Sequence, residues 1–526
     1  MRNRTYILLF CLLIATTSYS QTFSYRYHLG FPHTVFCNVL PTDNGFIVTG
    51  IGSDSVPPYK TGALFSYFTK DGIPEYSKLT VDQNQSFETW SNDLFVNEEG
   101  NLVTSGYGAD STGNYSFLLV YSSIGDTLLS KRFYSPLFPE SPFIVPNAGI
   151  LPYLNGYLMQ FAVGNHESVP FSNDLYLIRL DQNFDTIWTN LYVSPQNDFV
   201  RSVVIDDEER IIVGSNQNNL NIDDNNFTGR LHLMRIDSNG VVLNNFYFPE
   251  DYDFFMWSAD AMILAEDGGL IIASQFGEEY IVNPNAGQLR FISNVLKVNT
   301  TLSEVEWIRP FTFNGLYSTV NGFKEIISTS DGAGYICVGV ENVEGGSIAG
   351  TVGKFSEQGD SIWLRNYQIV ETASNRHELR DVAETKDGGF VLVGQSSNYV
   401  IDTSNLVPIQ QGWIMKVDEY GCLVPGCQLT SSIDEVSTPF SPDVRVYPNP
   451  ANEFLHVFYQ TTPGVPLGAV QFRIVDVLGR EVTRFETNQS EMSFVLDVSG
   501  WVSGFYFLVA ENQNGAKINR RIVIEH

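Results

Sequence analysis

Between residues 34 and 421, apolar and polar positions alternate in short runs, and each run is bounded by Asp, Asn or Gly. A period of two belongs to β-strands with one covered face, and the bounding residues tolerate the left-handed backbone of tight turns. One phrase recurs: an Asp/Asn/Gly turn followed by an apolar strand that ends in a small residue. It runs over Asp43–Gly50 (DNGFIVTG), Glu98–Gly106 (EEGNLVTSG), Asp206–Gly214 (DDEERIIVG), Asp267–Ser274 (DGGLIIAS), Asp331–Gly339 (DGAGYICVG) and Asp387–Gly394 (DGGFVLVG), with a degenerate copy at Asn155–Ala162. Seven copies give a period of about 57 residues, longer than the roughly 40–50 of the common propeller repeats.

A second phrase follows each first one: a strand, a turn and a further strand that often opens on an aromatic residue. Leu175–Trp188, Leu231–Leu243, Thr351–Trp363 and Gly412–Gly421 are its best copies, with weaker ones starting near Leu64, Phe117 and Phe291. Each unit is therefore a four-stranded antiparallel sheet, and seven such sheets cover their faces when packed around an axis. The last strand reads aromatic-x-polar-x-aromatic, as in Trp188, Asn190, Tyr192; Trp307, Arg309, Phe311; and Trp363, Arg365, Tyr367. The same form stands alone at Phe23, Tyr25 and Tyr27, whereas the seventh unit stops at Gly421 without a fourth strand. The expected fold is all-β, a seven-bladed β-propeller over 21–428 closed by the N-terminal strand, which removes an open sheet edge.

A Ser/Thr/Pro-rich linker over 429–443 leads to a C-terminal module, 444–526, whose seven short strands fit an immunoglobulin-like β-sandwich. Four phrases in it stand in a fixed order: Val446-Tyr447-Pro448-Asn449-Pro450-Ala451, then Phe472 to Val482 with Asp476 and Gly479, then Leu496 through Gly504-Phe505-Tyr506-Phe507-Leu508, then Lys517 through Ile524. In order and spacing these resemble the type A C-terminal sorting domain of the bacterial type IX secretion system. The resemblance implies that Tyr447, Pro448, Asn449, Pro450, Asp476, Gly479, Gly504, Tyr506 and Lys517 belong to the sorting motif. It also implies the secretion machinery and a surface sortase as partners, with removal of the module and attachment to lipopolysaccharide at the outer membrane, or release. The upstream repeats resemble, more loosely, the propeller-like repeats found before such domains, and that likeness carries no activity.

The N-terminus agrees with export. Arg2 and Arg4 precede an apolar run from Tyr6 to Ala15, and Ser18 and Ser20 stand before Gln21, the pattern of a signal peptide over residues 1–20. No run in the chain reaches the roughly 18 apolar residues of a membrane helix, so no transmembrane segment is expected. Of five cysteines Cys11 leaves with the signal; Cys422 and Cys427 flank a Pro-Gly turn and read as a small structural disulfide, since a metal site needs more ligands nearby. Charge excludes another class of partner: 59 acidic against 30 basic residues give a net charge of -29, which repels nucleic acid.

The catalytic motifs fail. His-Glu-x-x-His, Gly-x-Ser-x-Gly and the phosphate-binding Gly-x4-Gly-Lys are missing, and no cofactor or metal site is expected. His377-Glu378-Leu379-Arg380-Asp381 starts a predicted strand, where i and i+4 share no helical face. Asp181-x-Asn183-x-Asp185 lacks the later positions of a calcium loop and reads as a hairpin tip. Thr385-x-Asp387-x-Gly389 resembles the Asp-box turn of sialidase-like propellers, whose role is structural. Asp126-Thr127-Leu128 and Asp360-Ser361-Ile362 resemble short bacterial O-glycosylation triplets. What remains is positional: the first strands of the units line the expected channel and carry Asn38, Asp93, Ser202, Asp260, Glu325 and Asp381, a candidate ligand-binding mouth. The function expected is delivery and display, with the propeller as a non-catalytic binding surface for an unidentified glycan or protein. The alternative is a surface carbohydrate-active hydrolase with its site at that mouth.

Overall fold

Carboxylates at the start of the hairpin turns close them by the same two bonds. The Oδ1 of Asp181 accepts the amides of Asn183 and Asp185, both at 2.8 Å, and Asp237 does the same for Asn239 (2.9 Å) and Val241 (2.8 Å). Asp206 and Asp418 repeat the pattern on Glu208 and Arg210 and on Tyr420 and Cys422. The fourth turn residue is then left-handed, which glycine adopts without strain, as at Gly240 (φ 82°) and Gly421 (φ 70°).

The structure, a computed structural model, describes residues 21–526 apart from 55–59, 82–85, 89–92, 135–143, 166–171, 195–196, 222–225, 250–257, 284–285, 312–321, 344–346, 371–374, 403–404, 425–426, 428–442, 461–469, 477–479, 490 and 512–516. The expected signal peptide and nearly all of the linker lie outside the described residues. No α-helix occurs among those that are described. Two compact units divide the chain, Met1–Pro425 and Gly426–His526.

The N-terminal unit is a series of small antiparallel sheets in chain order, which fit propeller-like blades. β2 (Thr34–Pro41), β3 (Gly45–Ser53), β4 (Thr61–Thr69) and β5 (Pro74–Thr80) form the first. In the second, β6 (Ser86–Glu88) and β7 (Phe95–Val96) both pair with β8 (Leu102–Asp110), followed by β9 (Gly113–Tyr121) and β10 (Thr127–Tyr134). β11 (Ile144–Pro152), β12 (Gly156–Asn165), β13 (Ser172–Asp181) and β14 (Thr186–Tyr192) make the third, and β15 (Asn197–Ile205), β16 (Ile211–Asn221), β17 (Asn226–Ile236) and β18 (Val242–Phe248) the fourth. β19 (Ala261–Leu264), β20 (Leu270–Asn283), β21 (Ala286–Val298) and β22 (Val305–Phe311) make the fifth. β23 (Gly322–Ser328), β24 (Gly334–Asn342), β25 (Ile348–Ser356) and β26 (Ser361–Tyr367) connect through one parallel pair, Ile348 with Arg376, to β27 (Arg376–Glu384), β28 (Phe390–Asp402) and β29 (Asn405–Val417). The outer partner of β29 is β1 (Phe23–Tyr27), antiparallel, from Phe23 opposite Lys416 to Tyr27 opposite Gly412.

Register explains the repeating small residue. The first strand of several sheets carries a bulge, between Phe36 and Asn38, Val200 and Ser202, Phe323 and Glu325, and Leu379 and Asp381. Gly50, Gly339 and Gly394 sit opposite the residue before it, where a Cβ would lie 2.0 Å, 2.1 Å and 1.8 Å from a backbone oxygen of the first strand. In the fourth sheet this place belongs to Ser215, opposite Val200, and not to Gly214. The sequence phrase is thus one residue out of phase there; Gly214 is small because Met262 and Ala259 of the next sheet pack on it.

Neighbouring sheets are clasped by the aromatic positions of the last strands. The Tyr192 hydroxyl donates to the Gly240 carbonyl at 2.8 Å, and that of Tyr367 to Gly421 at 2.5 Å. Trp307 and Trp363 lie against Gly359 and Gly421, whose missing side chains make room for the rings. β1 makes the same clasp on the first sheet: the Tyr27 hydroxyl donates to Gly72 at 3.0 Å and the Phe23 ring fills the space above that glycine. Behind the clasps lie apolar layers, such as Phe36, Val48, Leu64 and Phe68 with Val391, Val393 and Ile414. Each such side chain contributes about 1.5–3 kcal/mol by leaving water.

The C-terminal unit has two sheets. β30 (Asp443–Tyr447), β31 (Phe454–Gln460) and β34 (Glu491–Asp497) form one, in that order. β32 (Val470–Asp476), β33 (Glu481–Thr487), β35 (Gly504–Glu511) and β36 (Lys517–Ile524) form the other, ordered β33-β32-β35-β36. Alternate residues of both meet in one core, with Leu455, Val457 and Tyr459 from the first and Phe472, Ile474, Leu508 and Ile522 from the second. Phe472 is ringed by Tyr459, Phe485 and Phe494.

Candidate functional site

Of the polar residues of the first strands, Asn38, Asp93, Asp260 and Asp381 reach an adjacent sheet, whereas Ser202 and Glu325 are placed within their own. Asn38 donates to Thr49 Oγ1 (3.0 Å) and accepts the Asp93 amide (3.1 Å). Asp93, just before β7, accepts Thr104 Oγ1 (3.0 Å), Ser105 Oγ and the Ile150 amide of the third sheet (3.0 Å). Asp381 accepts the Val39 amide of the first sheet and its own neighbour Val382, both at 2.7 Å. Asp260 accepts Ser258 Oγ at 2.8 Å, with Arg201 Nε of the preceding sheet 3.9 Å away. Glu325 takes the Ile326 amide at 3.0 Å, and Ser202 stands opposite Gly214 beyond its bulge. Burial, reinforced by the Asp93 charge, pushes the Asp381 carboxyl up to about 7, against the two amides that favour its ionised form. These groups can therefore tie one sheet to the next through main-chain donors. Among the described residues no group of three or more His, Cys, Asp or Glu could hold a metal ion.

The remaining sequence motifs resolve locally. Asp181 closes its hairpin tip as above. His377 is buried; its Nε2 accepts the Val370 amide (3.2 Å), which leaves Nδ1–H to donate to Ile348 O (3.1 Å), and burial lowers its pKa. Thr385 Oγ1 donates to Asp387 (2.5 Å) and Gly389 O (2.9 Å), a turn lock that also holds Lys416. Asp126–Leu128 and Asp360–Ile362 are exposed. Cys422 and Cys427 are joined in a disulfide, while Cys37 and Cys337 are buried and not disulfide-bonded.

A second constellation lies where sequence reasoning did not look. The apolar layer between the third and fourth sheets, built on Leu175, Val200, Val213 and Met234, ends in a cavity of about 540 Å³. One face of the β15–β18 sheet lines it with a polar row. Asp198 stands opposite Gln217, which faces Arg230; Ser215 faces His232, which faces Tyr247. The Arg230 guanidinium grips Gln217 Oε1 through Nε (3.0 Å) and a terminal nitrogen (2.7 Å), and lies 3.9 Å from the Tyr247 ring centre. His232 stacks on Tyr247 at 4.6 Å, with Nε2 at 2.9 Å from Asn245 Oδ1 and Nδ1 at 3.2 Å from Ser215 Oγ. Those partners fix the tautomer: Nε2–H donates to Asn245, and the Ser215 hydroxyl donates to Nδ1. Burial lowers the imidazole pKa, which favours its neutral form. Asp198 is 6% exposed, and its Oδ1 is buried with no hydrogen-bond partner. Burial pushes this carboxyl up to about 6, with Asp174 behind it adding to the rise.

In the C-terminal unit the motif residues hold the sandwich edges. Asn449 Oδ1 accepts the Val523 amide (2.7 Å), and Ala451 pairs with Ile524, so the Pro-Asn-Pro segment seals β36. Tyr447 stacks on His456. Asp476 accepts the Arg480 amide (3.0 Å) and Nε (2.7 Å) across its turn. Gly504 adopts φ 154°, and the Tyr506 hydroxyl donates to Val502 O at 2.8 Å. Gly479 and the side chain of Lys517 lie outside the described residues.

No curated protein matches the sequence. Among solved structures, the chain is similar to a Penicillium chrysogenum α-L-arabinanase complexed with arabinobiose, at 9% identity over 62% of this chain and 92% of that one, with a TM-score of 0.39. The polysaccharide lyase Uly1 gives 6% identity over 74% and 90%, with a TM-score of 0.43. A mannose phosphorylase from Leishmania mexicana gives 8% over 62% and 81%, at 0.30. Nothing about this chain's chemistry follows from likenesses of that strength. The last module is different: residues 445–525 match the secretion system C-terminal sorting domain, and the C-terminal module of this chain is a type IX secretion sorting domain.

Proposed function

We propose that this is an exported protein of the type IX secretion system, whose N-terminal unit is a seven-bladed propeller used as a non-catalytic binding module and whose C-terminal immunoglobulin-like sandwich is its address. The match over residues 445–525 carries the reading. The expected signal peptide over residues 1–20 supports entry into the periplasm, and recognition of the folded sandwich supplies the second step. A surface sortase then removes the module, leaving the propeller attached to lipopolysaccharide or released. Closure by β1 is supported by its pairing with β29 and by the Tyr27 clasp, which copies those of Tyr192 and Tyr367. The hydrolase alternative needs carboxylates at a free channel mouth, and both oxygens of Asp93 and of Asp381 already accept hydrogen bonds, which favours the binding reading.

The test is deletion of residues 444–526 in the native host. The truncated chain should accumulate in the periplasm, while the full chain reaches the surface without its last eighty or so residues. Surface exposure of the truncated chain overturns the proposal.

A further inference from the structure

We propose that the cavity beside the fourth sheet binds a small primary ammonium ion on an apolar body, with the –NH3+ received by Asp198. This deepens the binding-module reading of the N-terminal unit and is independent of the sorting module.

The first argument is the orphan oxygen. A buried carboxylate oxygen without a donor is costly, of the order of 1–3 kcal/mol or more, and native structures rarely leave one. Asp198 Oδ1 is such an atom, and its residue lines the cavity. His232 cannot supply the donor. Its Nδ1 lies 4.0 Å from Asp198 Oδ1 and is engaged with the Ser215 hydroxyl, and its one N–H goes to Asn245. Ser194 and Gln217 reach the carboxyl, yet Oδ1 keeps no partner within hydrogen-bond distance. The donor assigned to it comes from the cavity, which Asp198 lines.

The second argument is charge. Facing Asp198 are Asp174 from β13, Tyr192 from β14, Arg230 and His232 from β17, and Tyr247 from β18. Two carboxylates against one guanidinium and a neutral imidazole leave a negative charge in a low-dielectric space, which a monovalent cation neutralises. An ammonium group offers three donors, enough for Asp198 Oδ1 and the lone pairs of hydroxyls such as Ser215. Leu175, Val193, Val200, Val213 and Met234 form the apolar part of the wall, which suits an apolar carrier of the charge. Free amines and peptide N-termini share this chemistry.

The mature chain is titrated calorimetrically with isobutylammonium, with isobutanol, and with the tripeptide Leu-Gly-Gly and its N-acetylated form. Saturable heat is expected from isobutylammonium and not from isobutanol, with at least a tenfold loss in Asp198→Asn. Tighter binding of Leu-Gly-Gly than of its acetylated form and of isobutylammonium assigns the site to peptide N-termini; the reverse order assigns it to free amines. Should Asp198→Asn not fold, the pH dependence of the wild type decides. The ligand stays protonated, so affinity should fall about tenfold between pH 7 and pH 5 as Asp198 protonates. No saturable binding of either ammonium ligand, equal affinity for isobutanol, or a wild-type affinity that is flat with pH overturns the proposal. Such a failure with export intact leaves the sorting reading standing.

Discussion

Replacing Gly72 by alanine tests whether the N-terminal strand is clamped onto the first sheet. Gly72 has φ 74°, and a Cβ there would lie 2.4 Å from Phe23 Cε2 and 2.6 Å from Cζ. Two costs add. A left-handed alanine costs roughly 1–2 kcal/mol, and forcing a methyl group into a packed ring costs about 1–3 kcal/mol more. Gly100 supplies the control: its φ is 80°, with no atom within 4 Å of a built Cβ. Gly100→Ala should therefore lose only about 1–2 kcal/mol and Gly72→Ala about 2–5 kcal/mol. Phe23 is buried, so Phe23→Ala alone should cost about 3–5 kcal/mol, but the Phe23→Ala/Gly72→Ala pair should fall short of the sum by about 1–3 kcal/mol because the clash goes with the ring. The assay is guanidinium unfolding of the mature chain followed by tryptophan fluorescence. Equal destabilisation by Gly72→Ala and Gly100→Ala, to within about 0.5 kcal/mol, together with additive double-mutant energies, would refute the clamp.

Tyr192→Phe removes only the hydroxyl that reaches Gly240, and the unfolding midpoint should report a loss of about 1 kcal/mol. The Asp381 carboxyl is raised in the fold from the usual carboxylate range to about 7, so the folded state holds its proton more tightly than the unfolded chain; the stabilisation is full below about pH 4 and is lost as pH rises to about 7. Asp381→Asn should accordingly flatten the decline of the unfolding midpoint between about pH 4 and about pH 7. Phe472→Ala empties the centre of the C-terminal core and should cost about 3–5 kcal/mol, read as lost hydrogen-exchange protection in β32 and β35 with β27–β29 unchanged. Asn449→Ala, which deletes the acceptor for Val523, should cost that same module about 1 kcal/mol by chemical denaturation.

The sheets were legible because their signals are local. A turn Asp bonds to amides two and four residues on, and strand alternation needs no distant partner, so both are written within ten residues. The odd strand Phe23–Tyr27 was legible too, by matching the aromatic spacing of Trp188 to Tyr192. Register was not. Gly214 and Ser215 are both small, and only the Val200–Ser202 bulge shows which of them occupies the tight place. The hydrogen-bonding of Asn38, Asp93 and Asp381 was hidden because each accepts one donor from another sheet, and Asp381 is 342 positions from Val39. The cavity left one trace in the sequence. Where other sheets place Leu64, Phe117, Leu175, Asn294, Thr351 and Trp413 opposite the small position, the fourth alone places a titratable side chain, His232. A repeat search rewards similarity, and this site is where one repeat differs.

The pairing of β1 with β29 sets an order of events. Phe23 meets Lys416 across nearly the whole N-terminal unit, so β1 is made long before the strand it pairs with. Loop closure of that length is slow, and until it occurs the outer edge of β29 offers unpaired amides and carbonyls. A chain cut short before Gly412 has no place for its own beginning. Completion of the last sheet thus reports that the chain has been made as far as β29.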